Sequence, residues 1–134
     1  MAVLILPSRI ESTERVQQFI EDLVENHQQF SSIFANILTV VAETVSNAIE
    51  HGNRFDATKV VSISYQIDSN TLTFKIADQG KGFDYTKVPD PTLPENIEKL
   101  SGRGIYIMQH LADSIKYEDN GSTVVVTFIA PETI

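Results

Sequence analysis

Apolar residues recur at helical intervals in two segments of the N-terminal part of the chain. From Ser12 to about Gln28 this pattern predicts a first helix with Ser12 as its N-cap. Ser31 or Ser32 is available to cap a second helix, which ends at Gly52. The apolar positions are Val16, Phe19, Ile20, Leu23 and Val24 in the first helix, and Ile33, Phe34, Ile37, Leu38, Val41, Val45, Ala48 and Ile49 in the second.

Two pairs of later segments have the alternation and the β-branched residues that are typical of strands. The first pair is separated by Asp68-Ser69-Asn70 and the second by Asn120-Gly121, a strong turn signal. Each pair therefore predicts an antiparallel hairpin. The four segments are VVSISYQI (60–67), TLTFKIAD (71–78), SIKYED (114–119) and STVVVTFIA (122–130).

The remaining segments complete the predicted element order. AVLILP at residues 2–7 predicts an opening strand, and IYIMQHLA predicts a third helix from Gly104 to about Ala112. Between the hairpins, residues 80–101 contain two glycines and three prolines without a sustained period, which predicts a long functional loop. The order β-α-α-β-β-loop-α-β-β favours a two-layer α/β sandwich, with a mostly antiparallel, mixed sheet covered on one face by helices.

Composition narrows the class of protein further. The chain has 134 residues, of which 42% are hydrophobic, so it has the size and apolar content of a single domain, residues 1–134. Ten basic and eighteen acidic residues give a net charge of −8, which disfavours nucleic acid and anionic membranes as partners. With no cysteine, disulfides, thiolate metal sites and cysteine nucleophiles are excluded, and a reducing cytoplasm is expected. The N-terminus is apolar for only about six residues, too few for a signal peptide or a membrane span.

Three polar residues follow one border of the second predicted helix. Glu43, Asn47 and His51 are spaced by four, so they lie beside the apolar face and neither in the core nor fully in water. One interpretation is that they are ordinary boundary residues, with His51 favoured by the helix dipole. The other interpretation is chemical: an Asn oxygen suits Mg²⁺ whose other ligands are water and phosphate, and a Glu one turn earlier can deprotonate a hydroxyl.

Two glycine-containing segments are further candidates for ligand binding. Residues 78–82 (DQGKG) follow a predicted strand, where an acidic side chain can accept a hydrogen bond from an exocyclic amine and glycines admit a ligand ring. Residues 101–104 (SGRG) precede the third helix, where backbone N–H groups can bind an anion. A tight turn and a flexible helix start are the plainer interpretations. The second segment matches neither a Rossmann fingerprint nor a Walker A loop.

The segments ETVSNAIEHGN, DQGKG, SGRGIYIM and NGSTVVVTF occur in this order, and together they make the chain similar to the GHKL superfamily of ATP-binding domains. That superfamily includes gyrase, heat-shock chaperones, histidine kinases and MutL. Within it, the chain most resembles the small anti-sigma-factor serine kinases of bacteria, over almost its whole length. The resemblance implies a Bergerat fold that binds ATP and Mg²⁺.

The resemblance also implies a role for each matching position. Glu43 corresponds to the catalytic carboxylate, Asn47 to the Mg²⁺ ligand, and Asp78 to the residue that binds the adenine amino group. Residues 84–101 correspond to the ATP lid, and Thr123 lies near the family's threonine that supports adenine. The other nucleotide-binding positions expected are His51, Gly80, Gly82, Gly102, Arg103 and Gly104.

Members of this family bind a sigma factor and phosphorylate a serine or threonine of an antagonist protein, generally as dimers. The resemblance therefore implies a cytoplasmic anti-sigma factor with serine/threonine kinase activity, and a homodimer. Leu100 stands where several relatives have a basic residue, so Arg103 or Lys99 is expected to neutralise phosphate instead. This departure keeps open an ATP-gated interaction module without phosphotransfer. The catalytic domain of a histidine kinase is a third interpretation, but the chain is too short to include the phosphoacceptor helices.

Overall fold

Five strands and two α-helices make up the computed structural model, which describes residues 3–81 and 110–131 of the chain. Short 3₁₀ turns precede both helices, and a π-helical turn, Ala48–Gly52, follows the second. The elements are β1 (Val3–Pro7), α1 (Thr13–Asn26), α2 (Phe34–Asn47), β2 (Val60–Asp68), β3 (Thr71–Ala77), β4 (Ser114–Glu118) and β5 (Thr123–Ile129).

The five strands form one sheet in the order β1-β2-β3-β5-β4. Every pairing among the described strands is antiparallel, and both predicted hairpins are present, β2 with β3 and β4 with β5. Leu6 pairs with Val61 and Phe74 with Val126, so the alternation seen in the sequence places the apolar side chains on one face. This confirms the predicted, mostly antiparallel sheet. A mixed sheet would also contain parallel pairs, and the described strands include none.

The two helices cover the apolar face of the sheet and share its core. Phe19 of α1 meets Tyr65 of β2 edge to face, with ring centroids 5.8 Å apart. Phe74 and Phe128 meet in the same way within the sheet at 6.1 Å. Each fully buried aromatic or aliphatic side chain contributes about 1.5–3 kcal/mol through apolar burial. The described residues are therefore a two-layer α/β structure, as predicted.

The predicted N-caps of the helices are wrong in detail. Ser12 does precede α1, but its hydroxyl donates to the carbonyl of Pro7 at 2.8 Å and makes no capping bond. The second helix begins at Phe34, because Gln28–Ile33 forms a 3₁₀ turn that contains both candidate serines. At the first helix a contact with Pro7 takes the place of the cap that the sequence favoured, and at the second the helix begins after both serines.

Part of the prediction concerns residues that the structure does not describe. Residues 82–109 include the expected lid and most of the third helix, of which only His110 and Leu111 are described as helical. These predictions, and that of a single domain over 1–134, remain predictions. One described helical segment, Gln28–Gly52, is long and apolar enough by length and composition to cross a membrane. This is a weak indication, because its residues Ile37, Val40 and Val41 are fully buried in the core.

Candidate functional site

The polar edge of the second helix spans a change in helix type. Glu43 lies within α2, Asn47 is the last residue of α2, and His51 lies in the π-helical turn that follows. Glu43 and Asn47 are both half-buried, and among the described residues neither side chain makes a hydrogen bond or an ion pair. His51 lies 3.9 Å from the carboxylate of Glu50 at the surface. The border position inferred from the spacing of four is thus what the structure shows for Glu43 and Asn47.

The π-helical turn brings the end of this helix against the end of β3. The N–H of Asn53 donates to the carbonyl of Ala48 at 2.8 Å, five residues earlier, which widens the turn by one residue. Gly52, at the end of the turn, is buried against Asp78. A Cβ at Gly52 would lie 2.8 Å from Oδ1 of Asp78 and closer still to the rest of the carboxyl group. Only glycine permits this approach.

Asp78 is fixed by backbone contacts on both sides. Its N–H donates to the carbonyl of Ser122 at 2.8 Å, and its Oδ1 accepts a 2.8 Å hydrogen bond from the N–H of Gly80. Gly80 in turn lies against the backbone carbonyl of Gly52, where a Cβ would overlap it. Close packing around Asp78 therefore requires glycine at both position 52 and position 80. The sequence suggested this requirement for Gly80 and not for Gly52.

The carboxyl group of Asp78 is electrostatically unusual for an aspartate. Burial raises its pKa above the ordinary 3.8, and this effect outweighs the lowering by the Gly80 hydrogen bond and by the charge of Lys59. A partly buried carboxylate held by the backbone is a strong acceptor for an exocyclic amine, because water competes weakly there. The environment thus suits recognition of a nucleobase.

Thr123 lies close to Asp78 although 45 residues separate them in the chain. It begins β5, pairs with Ala77, and is 5% exposed, and its hydroxyl lies 3.2 Å from Oδ2 of Asp119. The antiparallel pairing of β3 with β5 therefore brings the two predicted adenine-side residues together, at the end of β3 and the start of β5.

Asn53 is a central residue of this region that the sequence analysis missed. Its side chain is 1% exposed and joins the ends of three strands to the end of α2. Oδ1 accepts from the N–H of Gln79 at 2.7 Å, while Nδ2 donates to the hydroxyl of Ser8 at 2.8 Å and to the carbonyl of Val60 at 3.0 Å. An Asn directly after Gly52 resembles a common helix ending, so no sequence signal distinguished it.

A polar cleft of about 360 Å³ opens beside these residues. Arg54 and Phe55 hold positive φ angles of 52° and 57°, which are uncommon for residues with a side chain. Among the described lining residues, cationic side chains outnumber carboxylates, so their summed charge is opposite in sign to the net charge of −8. The described residues that line it are Gly52, Asn53, Arg54, Asp56, Lys59 and Lys81.

The remaining predicted site residues lie outside the described part of the chain. These are Gly82, Gly102, Arg103 and Gly104. Within residues 3–81 and 110–131, no group of three or more His, Asp or Glu side chains is arranged to hold a metal. An all-protein metal cage is therefore not seen there. The amide of Asn47 has no side-chain partner within the described ranges, and its chemistry fits a Mg²⁺ that keeps water and phosphate ligands.

The amino-acid sequence of the chain matches a known protein family. A family model described as a histidine kinase-like ATPase domain matches residues 6–128. Since this match spans nearly all of the 134 residues, the chain belongs to the histidine kinase-like ATPase family.

Individual relatives within this family carry more specific names. The serine-protein kinase RsbW of Bacillus licheniformis is 35% identical over 94 residues, which are 65% of this chain and 59% of that protein. The RsbW of Oceanobacillus iheyensis is 27% identical over 120 residues, 83% of this chain and 76% of that protein. The anti-sigma F factor of Anoxybacillus flavithermus is 39% identical over 82 residues, 59% of this chain and 56% of that protein. The matches thus span less than two thirds of the first and third of these relatives.

Proposed function

We propose that this protein is an anti-sigma factor with ATP-dependent serine/threonine kinase activity toward an anti-sigma-factor antagonist. The observation that supports the proposal is the close approach of Gly52, Gly80 and Asp78, because it brings a carboxylate that can accept from the adenine amino group to the end of the helix that bears Glu43 and Asn47. The similarity to proteins named serine-protein kinase RsbW and anti-sigma F factor supports the proposed kinase activity and the proposed anti-sigma role.

In this proposal the nucleotide lies between α2 and the end of β3. The adenine amino group donates to Asp78, with Thr123 on the same side and Gly80 admitting the ring. The phosphates run toward Asn47, whose amide oxygen would hold a Mg²⁺. Mg²⁺ supplies neutralisation of charge on the phosphates during transfer. Gly82, Gly102, Arg103, Gly104 and the lid at 84–101 complete the expected set.

Glu43 acts as the general base in the proposed transfer. It accepts the proton of the serine or threonine hydroxyl of the antagonist while that oxygen forms a bond to the γ-phosphorus. The bond from the γ-phosphorus to the bridging oxygen breaks, and ADP leaves. A half-buried carboxylate without a protein partner among the described residues is suited to this role.

A phosphotransfer assay tests the proposal. The protein is incubated with an anti-sigma-factor antagonist and labelled Mg-ATP. Wild type is compared with Glu43→Gln and with the matched control Glu50→Gln, an exposed glutamate of the following turn. We expect labelled antagonist with wild type and control, and a loss of about a hundredfold or more in Glu43→Gln, as for a general base. Transfer that survives Glu43→Gln contradicts the assigned base.

A second candidate function is an ATP-gated interaction module that transfers no phosphate. Leu100 favours it, because a basic residue is expected there to neutralise phosphate charge. This alternative predicts that nucleotide changes the affinity for a sigma factor while no phosphorylated antagonist forms. The same assay separates the two functions, since any labelled antagonist excludes the module without transfer.

The partners follow from the same proposal. We infer a homodimer in the cytoplasm that binds a sigma factor and its antagonist, and that binds neither nucleic acid nor membrane. A net charge of −8 opposes both polyanions, while basic patches on a sigma factor would accelerate encounter with the acidic surface. Light scattering on the purified protein, alone and with a sigma factor, measures the stoichiometry.

A further inference from the structure

The environment of Asn53 points to a role beyond that of a buried polar residue. Its side-chain oxygen accepts a 2.7 Å hydrogen bond from the N–H of Gln79, which belongs to the peptide bond that follows Asp78. The N–H of Asp78 itself is bound to the carbonyl of Ser122 at 2.8 Å. The peptide units on both sides of Asp78 are therefore held, one by a neighbouring strand end and one by the side chain of Asn53.

Asn53 is in turn held rigidly by its other contacts. Nδ2 donates to the hydroxyl of Ser8 and to the carbonyl of Val60, and that hydroxyl donates to the carbonyl of Lys59 at 2.7 Å. Ser8 and Asn53 are 2% and 1% exposed, so water does not replace these bonds. The amide donates two hydrogen bonds through Nδ2 and accepts one at Oδ1. The side chain thus presents Oδ1 to Gln79 and Nδ2 to Ser8 and Val60, and the acceptor contact is the one that reaches the backbone beside Asp78.

We propose that Asn53 is a positioning residue for base recognition: it aligns the Asp78 carboxylate so that this group selects purines with an exocyclic amine. This inference rests on the proposed function, because it assigns Asp78 to the adenine amino group. The physical argument is that a hydrogen bond weakens steeply with displacement and angle, so a carboxylate must be held within a few tenths of an ångström to discriminate. Asn53 touches neither the base nor the phosphates.

Selectivity is the quantity that separates positioning from general stabilisation. The probe pair is ATP and purine riboside triphosphate, which is ATP without the exocyclic amine. The measured quantity is the dissociation constant of purine riboside triphosphate divided by that of ATP. In wild type we expect this ratio to be about ten or more, because ATP makes one additional hydrogen bond to a charged group. Loss of stability alone leaves this ratio unchanged once binding is measured on the folded fraction.

Three variants of the full chain give the test its controls. Asn53→Ala removes the acceptor for Gln79, Asn53→Asp keeps an oxygen acceptor but loses the amide donors, and Ser8→Ala breaks the far end of the same network. We expect the ratio to fall toward one in Asn53→Ala, and to stay within about threefold of wild type in Asn53→Asp and Ser8→Ala. Calorimetric titration gives the constants, and urea unfolding gives the folded fraction of each variant.

The possible outcomes distinguish this inference from the proposed function. A wild-type ratio near one, or no binding of ATP, contradicts the recognition of adenine by Asp78 and with it both proposals. A high ratio in wild type that persists in folded Asn53→Ala overturns the positioning role alone. An equal fall in Ser8→Ala and Asn53→Ala also overturns it, since the effect then follows the network as a whole. If Asn53→Ala does not fold, a ratio near one in folded Asn53→Asp, which retains the acceptor, overturns the role as well.

Discussion

Replacing Gly52 with alanine is the most direct test of the geometry around Asp78. The added Cβ would lie 2.8 Å from Oδ1 of Asp78, about 0.6 Å short of the 3.4 Å at which ordinary contact begins, and closer to the other carboxyl atoms. The neighbouring Gly80 packs against the carbonyl of Gly52 and prevents the turn from moving toward it. The carboxyl group must therefore move by at least about half an ångström.

A displacement of this size is enough to remove the proposed adenine contact. A hydrogen bond of about 2.9 Å that lengthens by 0.6 Å reaches about 3.5 Å, where little attraction remains. Loss of a hydrogen bond to a charged acceptor costs about 1.5–3 kcal/mol, which is roughly a tenfold to hundredfold rise in the dissociation constant of ATP. The overlap also lowers the free energy of unfolding by about 1–3 kcal/mol.

Titration calorimetry with ATP and with purine riboside triphosphate measures the effect. Val40→Ala serves as a control of similar stability loss, because it removes two buried methyl groups from α2 and does not alter the turn that contacts Asp78. We expect Val40→Ala to bind ATP like wild type when fully folded. If folded Gly52→Ala binds ATP within twofold of wild type, the placement of the base against Gly52 and Asp78 is wrong.

Two further predictions concern stability and metal dependence. Because burial raises the pKa of Asp78 above 3.8, the native state retains its proton to higher pH than the unfolded state, so wild-type stability falls as pH rises through this window. Asp78→Asn removes this loss of stability. We expect urea unfolding to show that the variant is more stable than wild type at neutral pH and equally stable in acid. A variant that is less stable than wild type at neutral pH contradicts the prediction. Asn47→Ala is expected to abolish the Mg²⁺-dependent part of ATP binding while leaving binding in EDTA nearly unchanged, and an equal loss in both conditions contradicts the assignment of Asn47 as the metal ligand.

The strands were predictable because their alternation is a local property. Every second residue in the middle of β3 is apolar, and the sheet buries these residues on one face: Leu72, Phe74 and Ile76. The turn residues between the strands also indicated which strands pair. The pairing of β2 with β3 and of β4 with β5 could therefore be predicted without long-range information. The fold class followed from these hairpins and from the helical periodicity.

The helix ends were less predictable because tertiary contacts compete for the same atoms. The hydroxyl of Ser12 can satisfy a helix N–H or the carbonyl of Pro7, and only the folded chain shows that it does the latter. The apolar periodicity of the second helix runs through Ala48 and Ile49 and does not indicate that the last turn is π-helical.

The residues of the candidate site likewise include some that the sequence could predict and some that it could not. Glu43, Asn47 and Asp78 could be selected from residue type, spacing and resemblance to a known family. Gly52 and Asn53 could not, because their importance comes from the approach of the α2 end to the β3 end. A glycine followed by an asparagine is an unremarkable way to end a helix, and only the packing shows what each residue does.

The π-helical turn has a consequence for insertions and deletions in this region. It contains one residue more than an α-helical turn over the same rise, and that residue sets the direction in which Gly52 leaves the helix. Removing any one residue between Asn47 and Gly52 would restore a regular helix and rotate everything beyond it by about 100°. The glycine would then face away from Asp78, so the length of this segment constrains the site as strictly as the identity of its residues.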